Sequence, residues 1–361
     1  MGIAIDVAGL PVAGYMFAAS PLAELSAVLH ALAEPGHHGR LAAWLGATAA
    51  ALDSGLAADL RDGEHLWRLA RADFLLPAAP RATLAGELDD VDRLDDEAFV
   101  TAALDSGCVR KPLHATASPL TDARARRTVR ARARSRGPRQ VAFVERMLAD
   151  PPAVRAWIRG LLEACDRAFF ADAWRQVEPD VVGDARYKND LLVRRGPAEA
   201  LRAVSPAVDL DPVHERIVVD KLQDDVARAN PVGITFLPTV FGAPHLVVLH
   251  AFGRRPVLQY PATVAGAAFA VEAIDTVTRR LAALSHPVRL RLCRSLARSA
   301  RTTSELTEIW RLTAPEVSRH LAVLTEAGLL TRSRRGRYVY YRLDPAVATR
   351  LGQDLLQALL R

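Results

Sequence analysis

The sequence holds few cysteines and no long apolar segment. Three cysteines among 361 residues are too few for a disulfide framework, so we expect a reducing, cytoplasmic location. No uninterrupted apolar run approaches the roughly 18 residues that cross a bilayer, so we expect no membrane partner. The apolar start of the chain is interrupted by Asp6 and Pro11 and lacks a basic leader, which argues against a signal peptide.

The sequence also lacks common catalytic motifs. It has no G-x-G-x-x-G, no phosphate loop, no G-x-S-x-G and no H-E-x-x-H, the patterns of dinucleotide, phosphate, hydrolase and zinc-protease sites. We therefore predict that the chain is not an enzyme and carries no cofactor. Three carboxylates, Asp180, Asp184 and Asp190, could serve chemistry, but we interpret their segment as a polar loop.

Acidic charge is scarce at one end of the chain. From residue 268 onward there are 16 arginines and no lysines against 8 acidic residues, a formal charge of +8 in a chain whose total is +6. This asymmetry favours nucleic acid as the partner of the C-terminal part, although any acidic surface would also suit it. The length allows two or three domains.

Two short helices are predicted within this basic part. Thr302 with Glu305, and Thr313 with Glu316, have the Thr-x-x-Glu spacing in which each side chain satisfies a backbone N–H at a helix start. Two capping boxes so close together predict a helix-turn-helix.

The second of these helices is expected over residues 314–327. Pro315 suits its first turn and Gly328 its C-terminal end. An apolar stripe at helical spacing consists of Val317, Leu321 and Leu324. The predicted DNA-contacting residues at its start and on its other face are Thr313, Glu316, Ser318, Arg319 and His320; an ordinary solvated helix is the alternative.

A β-hairpin follows the second helix. Val339, Tyr341 and Leu343 alternate with Tyr338, Tyr340 and Arg342, which predicts a half-buried strand. We expect the turn at residues 334–337. The hairpin residues predicted to contact DNA are Arg334, Arg335, Arg337 and Tyr338, because arginines at such a tip can neutralise phosphates.

The segments ALSHPVRLRLCRSLA, TAPEVSRHLAVLTEAGLL and RRGRYVYYRL resemble the DNA-binding domain of ArsR-type bacterial repressors over residues 268–361. The resemblance implies a winged helix-turn-helix and a homodimer on an inverted-repeat DNA operator. It also implies that an effector relieves repression. The flanking helices would form the dimer face through Val277, Leu281, Leu284, Leu351, Leu355 and Leu359.

Many ArsR-type repressors sense metals, but their usual ligands are missing here. The expected cysteine pair would lie within residues 304–309, which contain no cysteine, and the terminal helix keeps Asp344 without histidines. Cys293 is interpreted as a core residue. We therefore predict no metal site and a non-metal effector, a small molecule or a partner, sensed by the N-terminal domain.

The remaining chain is predicted to be mostly helical over residues 1–204, with a small antiparallel sheet over 205–262. The fold class is thus mainly α with a small β-sheet (α+β). The opening IAIDVAGLPVAGYMFAASPLAELSAVLHALAEPG, with FLPTVFGAPHLVVLH and LQYPA, resembles an uncharacterised domain that often precedes ArsR-type domains in bacteria with high-G+C genomes. That resemblance implies no particular ligand.

Two further features have open interpretations. An arginine-rich stretch could form a second DNA contact or a solvated surface that pairs with the acidic run at 87–97; its residues include Arg124, Arg126, Arg127, Arg130 and Arg134. His37 with His38, and His245 with His250, lack nearby cysteines or carboxylates at ligand spacing. We interpret these histidines as core or exposed residues.

Three functional hypotheses remain from the sequence. The first is a homodimeric DNA-binding repressor with a sensory N-terminal domain. The second is an enzyme with an accessory DNA-binding domain. The third is an architectural DNA binder that responds to no ligand and shows little sequence preference.

Overall fold

A computed structural model describes residues 2–68, 71–104, 118–221, 225–250, 254–263, 274–335 and 338–360. These fall into two compact units, one within residues 1–269 and the other within residues 270–360. The mainly α fold class with small sheets is confirmed. The helical segment predicted over 1–204 and the sheet segment over 205–262, which was expected to pack with it, both lie in the first unit.

The first unit contains ten α-helices among its described residues. They are α1 Pro21–Ala33, α2 Ala42–Ala51, α3 Ser54–Gly63, α4 Leu84–Asp92, α5 Asp96–Leu104, α6 Ala123–Arg136, α7 Pro138–Ala149, α8 Pro151–Cys165, α9 Ala171–Arg195 and α10 Pro197–Arg202. A π-helical turn, Asp166–Phe170, joins α8 to α9.

Helix α1 is the central helix of the first unit. Ser20 caps it by accepting a hydrogen bond from the backbone N–H of Ala23 at 3.0 Å. Apolar side chains line nearly its whole circumference, and even Glu24 and His30 are buried. Glu24 Oε1 accepts hydrogen bonds from the backbone N–H groups of Val240 and Phe241. Helix α1 thus connects the helical core with the strands that follow it in sequence.

The segment interpreted as a polar loop around Asp180, Asp184 and Asp190 is part of the 25-residue helix α9, so that interpretation was wrong. Lys188 and Asp184 form a fully buried ion pair on its inner face. Two charged residues occupy the face that apolar residues usually fill. The sequence of this segment therefore does not show the apolar periodicity that predicts a helix. Asp184 also accepts a hydrogen bond from the Tyr260 hydroxyl at 2.6 Å.

Two four-stranded sheets complete the first unit. Their strands are β1 Ile3–Asp6, β2 Tyr15–Phe17, β3 Val208–Asp211, β4 Arg216–Val219, β5 Asp225–Arg228, β6 Ile234–Thr239, β7 Val247–Leu249 and β8 Val257–Pro261. The strand orders are β3-β4-β1-β5 and β2-β6-β8-β7.

The two sheets are mixed, which corrects the prediction of an antiparallel sheet. Strand β1 is parallel to β5, and β6 is parallel to both β2 and β8. All six residues of β6 are buried, as expected for a parallel central strand covered on both faces. Strand β1 inserts between β4 and β5, and β2 adds to the edge of the other sheet beside β6, so both first strands pair with strands that follow some 200 residues later.

The second unit has the predicted winged-helix order. Its elements are α11 Ile274–Leu284, α12 Pro287–Arg298, α13 Thr303–Trp310, α14 Ala314–Glu326, β9 Leu330–Arg335, β10 Tyr338–Leu343 and α15 Pro345–Leu360. Arg301 and Tyr341 exchange backbone hydrogen bonds of 2.9 and 2.8 Å, which fix the wing to the segment before α13.

Among the described residues no single helix is long and apolar enough to cross a membrane. One pair of segments, Gly39–Ala51 and Ser54–Leu66, reaches that length and composition only when both are counted together across a bend of 118°.

Candidate nucleic-acid interface and effector cavity

Both predicted capping boxes form at the starts of α13 and α14. The backbone N–H of Thr302 donates to Glu305 Oε2 at 2.7 Å, and that of Thr313 donates to Glu316 Oε2 at 2.9 Å. These hydrogen bonds lower the pKa of each glutamate. The side chains of Thr313 and Glu316 therefore stabilise the start of α14, as their spacing predicted. Both residues were also predicted to contact DNA.

Helix α14 separates a buried stripe from an exposed face. Val317, Leu321 and Leu324 are at most 1% exposed, as predicted, whereas Ser318 and Arg319 are exposed. Gly328, at φ 70°, adopts the left-handed conformation that ends the helix. The outer face of α14 thus presents small and hydrogen-bonding side chains on a rigid helix.

His320 is half-buried at the edge of that face. Its ring centroid lies 4.8 Å from that of His286, whose Nδ1 accepts a hydrogen bond from the backbone N–H of Val288 at the start of α12. Burial is the largest cause that lowers the pKa of His320, and His286 adds to it. His320 is therefore neutral near pH 7 and can offer a hydrogen bond but little positive charge to a phosphate.

The wing is a two-stranded hairpin that differs from the prediction at its tip. Arg334 pairs with Val339 and Arg335 pairs with Tyr338, so both arginines belong to β9 and not to the turn. Arg334 and Tyr338 are exposed. The side chain of Arg335 and the whole of Arg337 lie outside the described residues.

The inward side of β10 is buried only near its base. Tyr341 and Leu343 pack against the core of the second unit. Val339 was expected on the same side but is 39% exposed, because the hairpin extends beyond the helices that cover its base. The core of the second unit therefore covers β10 at Tyr341 and Leu343 but leaves Val339 largely exposed.

Helices α11 and α15 pack together and carry the residues predicted for dimerisation. Arg280 Nη1 lies 3.1 Å from Asp354 Oδ2 in a largely buried ion pair between them. Val277 is 1% exposed and so is covered within the single chain, which corrects its assignment to a dimer face. Leu284, Leu351 and Leu355 are half-buried, whereas the exposed apolar residues of these helices include Ile274, Leu281, Leu356 and Leu359.

The arginine-rich stretch forms helix α6 in the first unit. Two of its predicted DNA-contacting residues are used internally, because Arg126 Nε donates to the Pro119 carbonyl at 2.9 Å and Arg130 makes two hydrogen bonds with Glu145. The predicted residues that stay exposed are Arg124, Arg127 and Arg134.

The acidic run at 87–97 is compensated by arginines outside α6. Arg159 pairs with Asp89 and Asp92, and Arg155 pairs with Asp96. Asp89, Asp92 and Asp96 of the acidic run thus pair with arginines of α8.

A cavity of about 260 Å³ lies in the first unit beside α4, α5 and β8. Phe74, Leu76 and Val257 contribute to its apolar lining. Glu87 also lines it, and burial raises the pKa of this carboxyl to about 7. Its other polar lining residues are Asp73, Asp90, His250, Arg254 and Arg255. The cavity thus combines an apolar wall with groups of both charges.

His38 and His245, which the sequence places in separate pairs, come together in the first unit with His30. The sequence analysis did not single out His30. Their sequence spacing gives no signal of this, because 215 residues separate His30 from His245.

The helix-turn-helix and its hairpin give the second unit an ArsR-type winged helix-turn-helix fold, and a helix-turn-helix domain family matches residues 284–333. The chain belongs to the family described as a family of unknown function, DUF5937, whose sequence model matches residues 1–266. The expected resemblance of the C-terminal part is thereby confirmed.

Several named proteins are similar to the C-terminal part. The arsenic resistance transcriptional regulator ArsR1 of Pseudomonas putida is 45% identical over 65 residues, which cover 18% of this chain and 51% of that protein. The HTH-type transcriptional repressor SmtB of Mycobacterium tuberculosis is 40% identical over 72 residues, covering 20% and 53%. The chain thus spans about half the length of these curated relatives.

Among solved structures, the transcriptional repressor BigR from Xylella fastidiosa is 34% identical. The match covers 24% of this chain and 84% of that chain, with a TM-score of 0.20.

Proposed function

We propose that this protein is a DNA-binding transcriptional repressor that acts as a homodimer and responds to a non-metal effector through its first unit. One observation carries the proposal: α14 starts at a complete capping box, buries an apolar stripe and exposes Ser318 and Arg319 beside a wing. The names of the relatives, regulators and repressors, support the same function.

In this proposal α14 enters the major groove and the wing lies on the phosphate backbone. Arg319 is the residue best suited to specificity, because a guanidinium can donate two hydrogen bonds to the O6 and N7 atoms of guanine. Arg334, on an exposed strand of the wing, suits phosphate contact, which adds affinity without base preference. The net charge of +8 from residue 268 onward favours both contacts.

Dimerisation is proposed through the exposed apolar residues of α11 and α15. Leu281 is 39%, Leu356 42% and Leu359 62% exposed within the single chain. A twofold axis would bury these side chains against their copies. The two α14 helices would then contact half-sites about one DNA turn apart, so an inverted repeat is the expected operator.

In the second unit, Asp344 and Cys293 are poor metal ligands. Asp344 Oδ1 accepts hydrogen bonds from the backbone N–H groups of Ala346 and Val347 and caps α15. Cys293 is buried, and desolvation raises the pKa of its thiol to about 11, which disfavours the thiolate that binds metals. These features support a non-metal signal.

The proposed effector site is the cavity of about 260 Å³ in the first unit. This volume lies just below the range of about 300–1,000 Å³ typical of ligand pockets, so it suits a small molecule. The exposed faces of Arg124, Arg127 and Arg134 on α6 are proposed as an additional phosphate contact that would strengthen binding at low salt.

The DNA contact is tested with an operator selected from random sequences by the full-length protein. Arg319→Ala should reduce discrimination against a substituted guanine by about 1–3 kcal/mol, measured by fluorescence anisotropy. Arg216→Ala, an exposed residue of β4 in the first unit, is the charge-matched control. Equal discrimination by Arg319→Ala and the control would overturn the proposed reading of DNA by α14.

The effector site is tested by screening small molecules for release of the full-length protein from that operator. Ala79→Trp places bulk on an exposed lining residue of the cavity and should abolish release while it leaves DNA binding intact. Ala58→Trp, on the exposed surface of α3, should respond like the unchanged protein. An unaltered response in Ala79→Trp would place the effector elsewhere.

A further inference from the structure

We propose that His30, His38 and His245 bind a divalent transition-metal ion of the zinc class inside the first unit. Their ligand nitrogens all lie within 4.8 Å of one another. His30 belongs to α1, His38 to the turn after it, and His245 to the connection between β6 and β7. An ion bound there would tie α1 to that connection.

The backbone orients two of the three imidazoles. His30 Nδ1 lies 3.1 Å from the Trp67 carbonyl oxygen and 2.9 Å from that of Arg68, and His38 Nδ1 lies 2.8 Å from the Ala243 carbonyl oxygen. Carbonyl oxygens only accept hydrogen bonds, so each Nδ1 carries the proton and each Nε2 presents a lone pair. Metal-binding histidines typically have this outer hydrogen bond, which fixes the tautomer and the ring orientation.

The Nε2 atom of His38 is the strongest single indication of a ligand. The residue is 2% exposed, and this buried nitrogen has no hydrogen-bond partner among the described residues. A polar atom inside a protein that lacks a partner destabilises the fold, because it has lost its hydrogen bonds to water. A metal ion at the centre of the three histidines would satisfy this lone pair.

The spacing fits tetrahedral coordination after small movements. His30 Nε2 lies 3.0 Å from His245 Nε2, and Zn–N bonds of about 2.0–2.1 Å place neighbouring ligand nitrogens about 3.3 Å apart. The ring centroids are 4.7, 5.1 and 5.3 Å apart, close to the about 5 Å that the same bond length implies. Without the ion, His245 Nε2–H donates to His30 Nε2, and metal binding moves or releases that proton.

The donor set selects the kind of metal. Three imidazole nitrogens suit zinc, copper, nickel or cobalt, whereas calcium and magnesium prefer oxygen ligands.

A buried cation beside the histidines opposes metal binding and restricts the fourth ligand. Arg71 is 3% exposed and donates to the same Trp67 carbonyl that His30 contacts. Its charge would repel a divalent ion, and an anionic fourth ligand such as hydroxide or chloride offsets that repulsion. The proposed ion belongs to the first unit, whereas DNA binding is proposed for the second unit, so this inference goes beyond the proposed function.

The test titrates cobalt(II) and zinc(II) into metal-free full-length protein, with a chromophoric chelator as competitor. We expect one tight site, a tetrahedral cobalt spectrum in the visible region and no thiolate-to-cobalt band. His38→Ala and His245→Ala should each weaken binding by more than the roughly 10–100-fold typical of losing an outer-shell partner. His214→Ala, an exposed histidine paired with Asp211, should bind as the unchanged protein does.

Folding of each variant is checked by circular dichroism, and His245 is the more tolerant position because its side chain is only half-buried. Zinc should raise the melting temperature of the unchanged protein and of His214→Ala but not of folded His245→Ala. An octahedral cobalt spectrum, no binding, or equal affinity in His245→Ala would overturn the site. Operator binding should persist after metal removal, so failure of the metal site and failure of the proposed function are distinguishable.

Discussion

Breaking the buried ion pair between Lys188 and Asp184 should strongly destabilise the first unit. Both side chains are 0% exposed, and Asp184 also accepts hydrogen bonds from the Tyr260 hydroxyl and the backbone N–H of Thr263. Lys188→Met keeps the volume of the side chain and removes its charge, which leaves a buried carboxylate without its cation. Removing one partner of a buried pair typically costs about 3–5 kcal/mol.

Urea unfolding followed by tryptophan fluorescence measures this loss. Four of the five tryptophans lie in the first unit, so a Trp310→Phe background reports on that unit alone. With a urea m-value near the upper end of about 1–3 kcal/mol/M, the expected shift of the midpoint is about 1 M or more. Lys188→Met combined with Asp184→Asn should recover part of the lost stability because both charges are then removed.

Arg194→Met provides a matched control on the same helix. Arg194 pairs with Asp190 at the same i, i+4 spacing, but the two side chains are 75% and 63% exposed. Exposed pairs of this kind contribute little, so the midpoint should stay where it is. Equal shifts in Lys188→Met and Arg194→Met would refute the reasoning that burial, and not the pairing itself, sets the cost.

Three further predictions concern pH, dimerisation and DNA contact. Burial raises the pKa of Glu87 from 4.5 to about 7. The stabilisation that its protonated carboxyl gives the folded state is fully present below pH 4.5 and is lost as pH rises through 7. Glu87→Gln should therefore reduce the fall in unfolding free energy between pH 5 and pH 8 by about 1–3 kcal/mol. Leu281→Glu and Leu359→Glu should shift sedimentation from dimer to monomer, because each places a charge on the exposed apolar face of α11 and α15. Arg334→Ala should weaken binding to all DNA sequences similarly and reduce the salt dependence by about one phosphate contact, whereas Arg319→Ala should alter base preference.

Each of these predictions has an outcome that contradicts it. A pH profile unchanged in Glu87→Gln would show that another group controls the stability of the first unit. Val193→Glu, an equally charged change at a residue that is 77% exposed in the first unit, should leave the dimer intact, and loss of the dimer there would point to a nonspecific effect. An Arg334→Ala protein with unchanged salt dependence would count against the proposed position of the wing.

The parts of the second unit that depend on short-range interactions were predictable from the sequence. The capping boxes Thr302–Glu305 and Thr313–Glu316 join residues three positions apart, and Gly328 ends α14 through its own backbone conformation. Local hydrogen bonds and helical periodicity are readable from neighbouring residues. The hairpin was also predictable. Its turn was predicted to begin at Arg334, but Arg334 and Arg335 belong to β9, because arginine fits a strand as well as a turn.

The architecture of the first unit and its histidine cluster depend on long-range packing that neighbouring residues do not reveal. Strand β1 pairs with strands more than 200 residues away, and nothing in its four residues specifies a distant partner or a parallel direction. The inner face of α9 carries Lys188 and Asp184, whose charges are compensated by each other and by Tyr260, so their burial cannot be read from hydropathy. His30 and His245 likewise became candidate ligands through long-range packing, because coordination depends on distances in space and those distances are set by the folded chain.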